Sequence, residues 1–171
     1  ADGLSTSSTM QVIAGGRDRQ ESVFLGLAAS RGQADDVVLI HDGVRPFVST
    51  KVLSQCLEAA MAYGACLTAV AAYDTLKQTG DDGRIVQTLP RDAVWMAQTP
   101  QGFRLGLIRD AHRQAREAGF KGTDDGQLVE RLGQAVTIVP GSRLNIKITT
   151  PEDLQLAEAI WRHARNAPGS D

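Results

Sequence analysis

Short apolar runs alternate along the chain with longer stretches in which apolar residues recur every three or four positions. The short runs have the length and β-branched content of strands, and the longer stretches have the periodicity of amphipathic helices. Strands that alternate with helices build a mostly parallel sheet covered by helices, so the pattern predicts an α/β fold. The predicted strands are residues 9–15, 36–40, 65–72, 93–98, 135–139 and 145–149, and the predicted helices are residues 21–30, 50–64, 105–119, 124–133 and a last helix that follows Thr150.

Residues 74–90 break this alternation. Two polar-alternating segments flank the turn sequence GDDG at residues 80–83, which is typical of a β-hairpin. The hairpin has little apolar surface with which to pack on the rest of the chain. We therefore expect it to protrude as an arm.

Several residues have the chemistry of helix ends. Ser22 is a candidate N-cap of the first helix, and Gly64 is a candidate stop of the second. Thr150 is a candidate N-cap of the last helix, with Pro151 at the first helical position and Asp153 placed for a reciprocal capping contact.

Length and composition restrict the class of protein. The 171 residues fit one domain, and 18 basic against 20 acidic residues give a net charge of −2, which favours no nucleic-acid partner. No apolar run reaches the roughly 20 residues that a membrane helix needs, and residues 1–10 lack the features of a signal peptide. Cys56 and Cys66 lie in apolar segments without metal-ligand spacing, which predicts core thiols in a reducing compartment. We therefore expect a cytoplasmic protein without a membrane partner.

Polar clusters follow the predicted strands, at the sheet edge where open α/β folds bind ligands. Their placement on one rim predicts a ligand site there. The clusters are HDGVRP (41–46), YDTLK (73–77), AQTPQ (97–101), TDDG (123–126) and SRLNIKITT (142–150).

Each cluster also has a purely structural interpretation. Asp42 and Arg45 would form an ion pair in a turn, and Thr123 would only begin a helix. Lys147, in a predicted apolar strand, would need either a wet strand face or an anionic partner. His41 is expected to be a hydrogen-bonded structural histidine without a catalytic role. Thr75, Lys77 and Arg91 would be surface residues that face solvent.

Taken together, the basic and hydroxyl side chains predict a site for a phosphorylated, hydroxylated small molecule. Guanidinium and ammonium groups neutralise phosphate, threonine hydroxyls hydrogen-bond its oxygens, and Asp42 can accept from a polyol hydroxyl. No Ser-His-Asp order, metal-spaced histidines or activated cysteine is recognisable, so the predicted chemistry is electrostatic, as in phosphoryl or nucleotidyl transfer. The residues of this predicted site are Asp42, Arg45, Thr75, Lys77, Arg91, Thr99, Thr123 and Lys147.

The sequence resembles one enzyme family in the order and spacing of its motifs. The family is the 2-C-methyl-D-erythritol 4-phosphate cytidylyltransferases of non-mevalonate (MEP) isoprenoid biosynthesis, and the resemblance covers nearly the whole chain. It implies a Rossmann-like nucleotidyltransferase fold, a three-layer sandwich with a protruding hairpin arm that joins a homodimer. It also implies transfer of CMP from CTP to the polyol phosphate, with Mg²⁺ as divalent cation and pyrophosphate as leaving group. The motifs are GGRDRQESVFLGL, IHDGVRPFV, YDTLKQT, LPRDAVWMAQTPQGF, TDDGQLVERLG and NIKITTPEDL.

The resemblance also implies roles for individual residues. Lys147 would stabilise charge at the α-phosphate of CTP, and Lys147 and Arg91 would be the catalytic residues; the metal ligands stay open. Gly15, Gly16 and Ser22 would contact the nucleotide together with Lys147. The polyol phosphate would be held by Asp42, Arg45, Thr75, Arg91, Thr99 and Thr123, some of which would reach the site of the partner subunit from the arm.

The sequence departs from the family pattern in several places. Tyr73 stands where an arginine often precedes the Asp-Thr pair, Gly43 and Val44 replace the usual alanines, and Asp125 stands where glutamate is usual. The family's Gly-rich loop around the triphosphate has no counterpart in the sequence. We therefore expect residues 1–165 to form a cytidylyltransferase domain that lacks its N-terminal Gly-rich βα unit and is poorly active alone.

Three alternatives stay open at this point. Residues 166–171 would form a polar tail or a linker, which suits either a simple C-terminus or a fused cyclodiphosphate synthase domain. A ribitol-5-phosphate cytidylyltransferase would share the fold and the sequence VRPF at residues 44–47. A non-catalytic domain of the same fold is the third alternative, and CTP binding separates it from the two enzymes.

Overall fold

The computed structural model describes residues 10–166. Helices and strands alternate in it as predicted, interrupted by the hairpin and by a short 3₁₀ helix at Arg91–Ala93. The helices are α1 (Arg19–Ala29), α2 (Thr50–Tyr63), α3 (Leu105–Glu117), α4 (Asp125–Arg131) and α5 (Pro151–Asn166), and the strands are β1 (Val37–Ile40), β2 (Ala65–Ala71), β3 (Lys77–Thr79), β4 (Ile85–Thr88), β5 (Trp95–Arg104) and β6 (Thr137–Pro140).

Four strands form the central sheet in the order β1-β5-β2-β6. Strand β2 pairs in parallel with β6, whereas β1 and β2 both pair antiparallel with β5. Three strands therefore run in one direction, as a mostly parallel sheet requires, and β5 runs against them. Ile40 lies opposite Gln101, and Ala71 lies opposite Trp95. The part of β5 before Gln101 consequently runs along the rim formed by the carboxyl ends of β1 and β2.

Apolar side chains fill both faces of the sheet. On one face, Phe103 belongs to a buried cluster with Ile108 of α3 and Leu128 of α4, which also includes a residue of α1. On the other face, Cys56 of α2 packs against Cys66 of β2. Both cysteines are fully buried and free, as expected for core thiols, with their Sγ atoms 3.4 Å apart. The arrangement is a three-layer sandwich.

The first helix begins at Arg19 because Asp18 caps it. The Oδ1 atom of Asp18 accepts a hydrogen bond from the backbone N–H of Glu21 at 2.9 Å. The prediction of Ser22 as the N-cap is therefore wrong, since Ser22 lies inside the first turn and its hydroxyl donates to the carbonyl of Asp18. Helix α2 ends at Gly64 as predicted, because this glycine adopts a φ of 84°, which other residues rarely adopt.

The predicted capping contact at the last helix is confirmed. The N–H of Thr150 donates to Asp153 Oδ2 at 2.8 Å, and the N–H of Asp153 donates to Thr150 Oγ1 at 3.3 Å. Helix α5 extends to Asn166, so this residue is not part of the predicted tail. Residues 167–171 of that tail lie outside the described residues.

The hairpin forms a two-stranded sheet of its own, as predicted. Strands β3 and β4 pair only with each other in the described structure, and every residue in the two strands is exposed. A hydrogen bond of 2.7 Å from Lys77 Nζ to Thr88 Oγ1 joins the strands. Lys77 therefore serves the arm and not the rim of the central sheet.

Two predicted strands are wrong. Residues 10–15 find no strand partner within the described part of the chain, and the side chains of Met10 and Val12 are exposed; Thr9 lies outside that part. Residues 145–149 form a loop, because the N–H of Ile148 bonds to the carbonyl of Val44 in another loop. The predicted strand 93–98 begins later than expected, at Trp95 after the 3₁₀ helix, and continues further, to Arg104. None of the helices within residues 10–166 has the length and apolar character to cross a bilayer.

Candidate active site

Asp42 lies at the centre of a cluster of cations. It is in the loop after β1, with 12% of its side chain exposed. Its Oδ1 lies 3.0 Å from Arg19 Nε, and its Oδ2 lies 3.2 Å from Lys147 Nζ and 3.8 Å from Arg45 Nε. The structure thus brings together the predicted site residues Asp42, Arg45 and Lys147, and Lys147 has an anionic partner, which is one of the two possibilities predicted for it.

The cations set the charge of Asp42. Burial alone raises the pKa of Asp42, but hydrogen bonds from Arg19 and Lys147 and their positive charges outweigh it, so the pKa lies below its usual value of 3.8. Burial lowers the pKa of Arg45, against the attraction of Asp42, although a guanidinium stays charged at neutral pH. Asp42 is therefore an ionised carboxylate held among positive charges.

Thr99 and His41 fix the loop that carries Asp42. The hydroxyl of Thr99 accepts from the N–H of Asp42 at 3.0 Å and lies 3.0 Å from His41 Nδ1. His41 Nε2 lies 2.9 Å from the carbonyl of Arg45, which can only accept, so Nε2 carries a proton and donates to this carbonyl. His41 is thus hydrogen-bonded within the loop, as expected of a structural histidine.

The loop that carries Lys147 is fastened to the same place through Asn145. Asn145 is 1% exposed, and its Nδ2 donates to the carbonyl of Thr99 at 2.8 Å. Arg45 Nη1 donates to the carbonyl of Asn145 at 2.8 Å. The positions of Asp42, Arg45 and Lys147 are therefore determined together by two interlocked loops and strand β5.

Arg19 connects this cluster to a second, buried carboxylate. Arg19 Nη1 lies 2.8 Å from Asp125 Oδ2, an ion pair without hydrogen-bond geometry. His112 Nε2 lies 2.9 Å from Asp125 Oδ1, and both side chains are 1% exposed. The N–H of Asp125 donates to Gln101 Oε1 at 3.1 Å. The start of α4 is therefore tied to α3, to β5 and, through Arg19, to Asp42.

The predicted nucleotide turn lies at the start of the same helix as Arg19. The N–H of Gly16 donates to Ser22 Oγ at 2.9 Å, which folds the glycine turn back onto α1. A Cβ on Gly16 would collide with Glu21, and one on Gly15 would lie 3.2 Å from Ser22 Oγ, so the turn requires glycine for close approach. The predicted roles of Gly15, Gly16 and Ser22 toward a nucleotide stay predictions.

Other predicted site residues are not joined to Asp42. Arg91 Nη1 donates to the carbonyl of Tyr73 at 3.2 Å, at the root of the arm. The N–H of Thr123 donates to Gln127 Oε1 at 2.8 Å, just before α4, and Thr75 is exposed between β2 and β3. Within residues 10–166, no hydrogen bond or ion pair joins Thr75, Arg91 or Thr123 to Asp42. Their predicted substrate contacts stay predictions.

Sequence reasoning misses residues that hold the site together. The sequence assigns Asp125 only to the start of a helix, although Asp124 already supplies the cap through its bond from the N–H of Gln127. An acidic residue in the first turn of a helix is common, so only the burial of Asp125, at 1% exposure, shows that it has another role. The same holds for Gln101 in the AQTPQ segment, which is 1% exposed and needs polar partners. Arg19 carries no distinguishing signal in the sequence.

The residues present do not form a metal site by themselves. Within residues 10–166, no group of three or more His, Cys, Asp or Glu side chains is placed to hold a metal ion. Asp42, the carboxylate of the site, already has a cation at each of its two oxygens. A divalent cation there would need ligands from another source, and substrate phosphates are the usual ones for Mg²⁺.

Comparisons with known proteins agree on one family. The sequence model described as "IspD: 2-C-methyl-D-erythritol 4-phosphate cytidylyltransferase" matches residues 1–163. A 2-C-methyl-D-erythritol 4-phosphate cytidylyltransferase of Geotalea uraniireducens is 56% identical over 152 residues, which cover 88% of this chain and 65% of that protein. The chain thus spans slightly less than two thirds of the length of this curated relative.

Solved structures agree with the sequence match. The crystal structure of 2-C-methyl-D-erythritol 4-phosphate cytidylyltransferase from Thermus thermophilus superposes with a TM-score of 0.80 at 42% identity, over 88% of this chain and 72% of that one. The bifunctional IspDF from Campylobacter jejuni superposes with a TM-score of 0.69 at 26% identity, over 84% of this chain and 35% of that one. The α/β sandwich with its arm is therefore the nucleotidyltransferase fold of these proteins.

Proposed function

This chain belongs to the 2-C-methyl-D-erythritol 4-phosphate cytidylyltransferase family, and from this premise we propose that it transfers CMP from CTP to 2-C-methyl-D-erythritol 4-phosphate. The products are 4-diphosphocytidyl-2-C-methyl-D-erythritol and pyrophosphate, which places the reaction in non-mevalonate isoprenoid biosynthesis. The protein is thus a nucleotidyltransferase, and we expect it to act in the cytoplasm.

The proposed reaction exchanges one phosphorus–oxygen bond for another. A phosphate oxygen of the polyol phosphate attacks the α-phosphorus of CTP, and the bond from that phosphorus to the bridging oxygen of the β-phosphate breaks. Pyrophosphate leaves with the bonding electrons, and no proton needs to be removed from a phosphate that is already ionised. Because both reactants are anions, the task of the protein is to bring negative charges together and to stabilise the charge that builds up during transfer.

The observation that carries the proposal is the arrangement of cations around Asp42. Arg45 and Lys147 provide positive charge on one side of the carboxylate, and Arg19 provides it on the other. Phosphate groups are attracted to this charge, while Asp42 offers an acceptor for a polyol hydroxyl. The turn of Gly15 and Gly16 lies at the start of the helix that carries Arg19, where a nucleotide base would be adjacent.

In this proposal the divalent cation binds to the protein together with the substrate CTP. Since the described residues provide no metal site, we propose that CTP is used as its magnesium complex, with the triphosphate oxygens as ligands. Mg²⁺ neutralises phosphate charge when it is bound. The residues of this chain then need only to bind, orient and stabilise the charged groups.

We also propose that the arm joins two copies of the chain. The strands of the arm expose Ile85 and Val86, 63% and 67% of whose surfaces are accessible, far more than the core leaves open. Arg91 lies at the root of the arm and contacts Tyr73 rather than Asp42. An arm from one copy that lies over the site of the other would cover these apolar residues and bring Arg91 toward a substrate phosphate.

The test is turnover by the full-length protein with CTP, Mg²⁺ and 2-C-methyl-D-erythritol 4-phosphate. Phosphorus NMR should show equimolar formation of pyrophosphate and of a diphosphate diester. Ribitol 5-phosphate serves as the alternative acceptor and UTP as the alternative donor. We expect much slower reaction with either, in line with the family match. Absence of the diester, with or without binding of CTP, would overturn the proposal, and preference for ribitol 5-phosphate would change the substrate.

A further inference from the structure

Arg19 bridges two carboxylates that lie on different elements. Its Nε lies 3.0 Å from Asp42 Oδ1, and its Nη1 lies 2.8 Å from Asp125 Oδ2. The guanidinium group is planar and presents its donors in a fixed fork, so one arginine that contacts both carboxylates fixes their relative position. Only a third of the Arg19 side chain is exposed, at 33%.

The Asp125 end of this bridge is anchored in the core. Asp125 is 1% exposed and also contacts the buried His112. The N–H groups of Asp125 and Gly126 both donate to Gln101 Oε1, at 3.1 and 3.0 Å, and Gln101 lies in β5. If Arg19 moved away, the buried Asp125 would lose its cation, which is strongly unfavourable. The ion pair with the buried Asp125 therefore holds Arg19 in place.

Lys147, which also contacts Asp42, is held much less firmly than Arg19. Its ammonium lies 3.2 Å from Asp42 Oδ2, but 42% of its side chain is exposed, and a lysine stem is flexible. Lys147 can leave Asp42 without stranding a buried charge, because Arg19 still contacts the other oxygen of Asp42. Arg19 and Lys147 thus differ in mobility: Arg19 is fixed, and Lys147 is free to move.

We infer that Arg19 is a positioning residue, which fixes the carboxylate of Asp42 so that Lys147 can pass from Asp42 to a substrate phosphate. This inference rests on the proposed function. Asp42 then remains paired and correctly oriented toward the polyol hydroxyl while Lys147 stabilises phosphate charge. Three cations face two carboxylates in the group, so a net positive charge favours the arrival of the phosphate.

The experiment compares Arg19→Gln and Arg19→Lys with the wild type. Steady-state kinetics gives kcat and the KM of each substrate, and titration calorimetry gives the affinity for the polyol phosphate without turnover. We expect Arg19→Gln to weaken binding of the polyol phosphate and to raise its KM by about 10- to 100-fold, because Asp42 loses its orientation. The KM for CTP should change by less than about threefold.

Arg19→Lys and a matched arginine provide the controls. A lysine keeps the charge but cannot span both carboxylates, so we expect an intermediate rise in KM for the polyol phosphate. Arg113 also contacts two carboxylates, Asp110 and Glu117, but on the exposed surface of α3, so Arg113→Gln should leave every constant unchanged. Circular dichroism and thermal unfolding verify the fold. If Arg19→Gln does not fold, the comparison between Arg19→Lys and Arg113→Gln decides.

The possible results separate the inference from the proposed function. If the wild type turns over but the Arg19 variants keep its KM for the polyol phosphate, the inference is wrong. It is also wrong if only the KM for CTP rises, since Arg19 would then serve the nucleotide turn. A wild type that neither binds nor uses the polyol phosphate overturns the proposed function and this inference with it.

Discussion

The ammonium of Lys147 lies 3.2 Å from the carboxylate of Asp42, although the two residues belong to loops at the ends of different strands. Asp42 follows β1, and Lys147 follows β6 on the far side of the sheet order. The long strand β5 brings the two loops together, because Thr99 bonds to the N–H of Asp42 and to the side chain of Asn145. The pair is therefore a product of the topology and not of local sequence.

Replacement of Lys147 by glutamine should lower kcat but leave the free energy of unfolding nearly unchanged. We expect kcat to fall by about 10²- to 10³-fold, because a cation placed for developing phosphate charge is lost. The free energy of unfolding should change by less than about 1 kcal/mol, since the lysine is partly exposed and Asp42 keeps Arg19. Turnover assays and urea unfolding on the same preparation give both quantities.

Lys121 provides the matched control for this prediction. It also pairs with an aspartate, Asp18, at 3.3 Å, but it is 84% exposed and is not part of the Asp42 cluster. Lys121→Gln should therefore retain both kcat and stability. Equal losses of kcat in the two variants would show that Lys147 acts only through the overall charge of the protein.

Asp42 should make stability depend on pH in the acid range. Because hydrogen bonds and cations lower its pKa in the folded state, protons bind to the unfolded chain first as the pH falls. The stabilisation by Asp42 is thus complete above its usual pKa of 3.8 and is lost as the pH falls through the lower folded value. The free energy of unfolding of the wild type should exceed that of Asp42→Asn most at neutral pH, and the difference should shrink below pH 3.8.

Urea unfolding of both proteins at a series of pH values measures this difference. Other carboxylates, such as Asp153 at the start of α5, titrate equally in the two proteins and cancel from the comparison. A difference that stays constant down to the lowest pH would mean that Asp42 is not stabilised by its cations.

The elements of the fold are largely readable from the sequence because their signals are local. The helix α2 repeats buried positions at Val52, Cys56 and Ala60, and Gly64 ends it. The wrong predictions concern segments whose conformation depends on residues that are distant in the sequence. Residues 145–149 have a strand-like alternation, yet their backbone bonds to the loop of Val44 instead of a strand. The sequence of residues 145–149 alone does not indicate that partner.

Site residues can be predicted from the sequence where the residue type implies a chemical role. They cannot be predicted where the role depends on a tertiary contact. Asp42, Arg45 and Lys147 are identifiable because charged groups at strand ends need partners or ligands. Arg19 is one of many arginines, and only the folded chain shows that it reaches two carboxylates. Asp125 resembles any acidic residue at a helix start until its burial is known. Burial and pairing are properties of the tertiary structure, so sequence patterns alone do not reveal them.

Gly102 should be essential for packing of α2 on the sheet. A Cβ at this position would lie 3.0 Å from Cys56 Sγ, 3.0 Å from Leu39 Cδ2 and 3.1 Å from Ala60 Cβ, so three neighbours would have to shift together. We expect Gly102→Ala to lower the free energy of unfolding by about 1–3 kcal/mol, measured by urea unfolding. In Gly43→Ala, the control, the new methyl group meets nothing within 4 Å, and the change should stay within about 0.5 kcal/mol. Equal stability of the two variants would contradict the tight fit.

Arg91 should act on the site of the partner copy, if the arm joins two copies as proposed. Arg91→Gln and Lys147→Gln should each abolish most activity as homodimers. A heterodimer of the two variants, isolated through two different tags, contains one site with both residues intact and should regain about half of the wild-type activity. If Arg91 served its own site, both sites of the heterodimer would lack one residue and no activity would return.

Arg84, an exposed arginine at the turn of the arm that pairs with Asp82, is the control, and Arg84→Gln should remain active on its own. An isolated heterodimer without recovered activity, or a protein that stays monomeric at working concentration, would contradict the shared site.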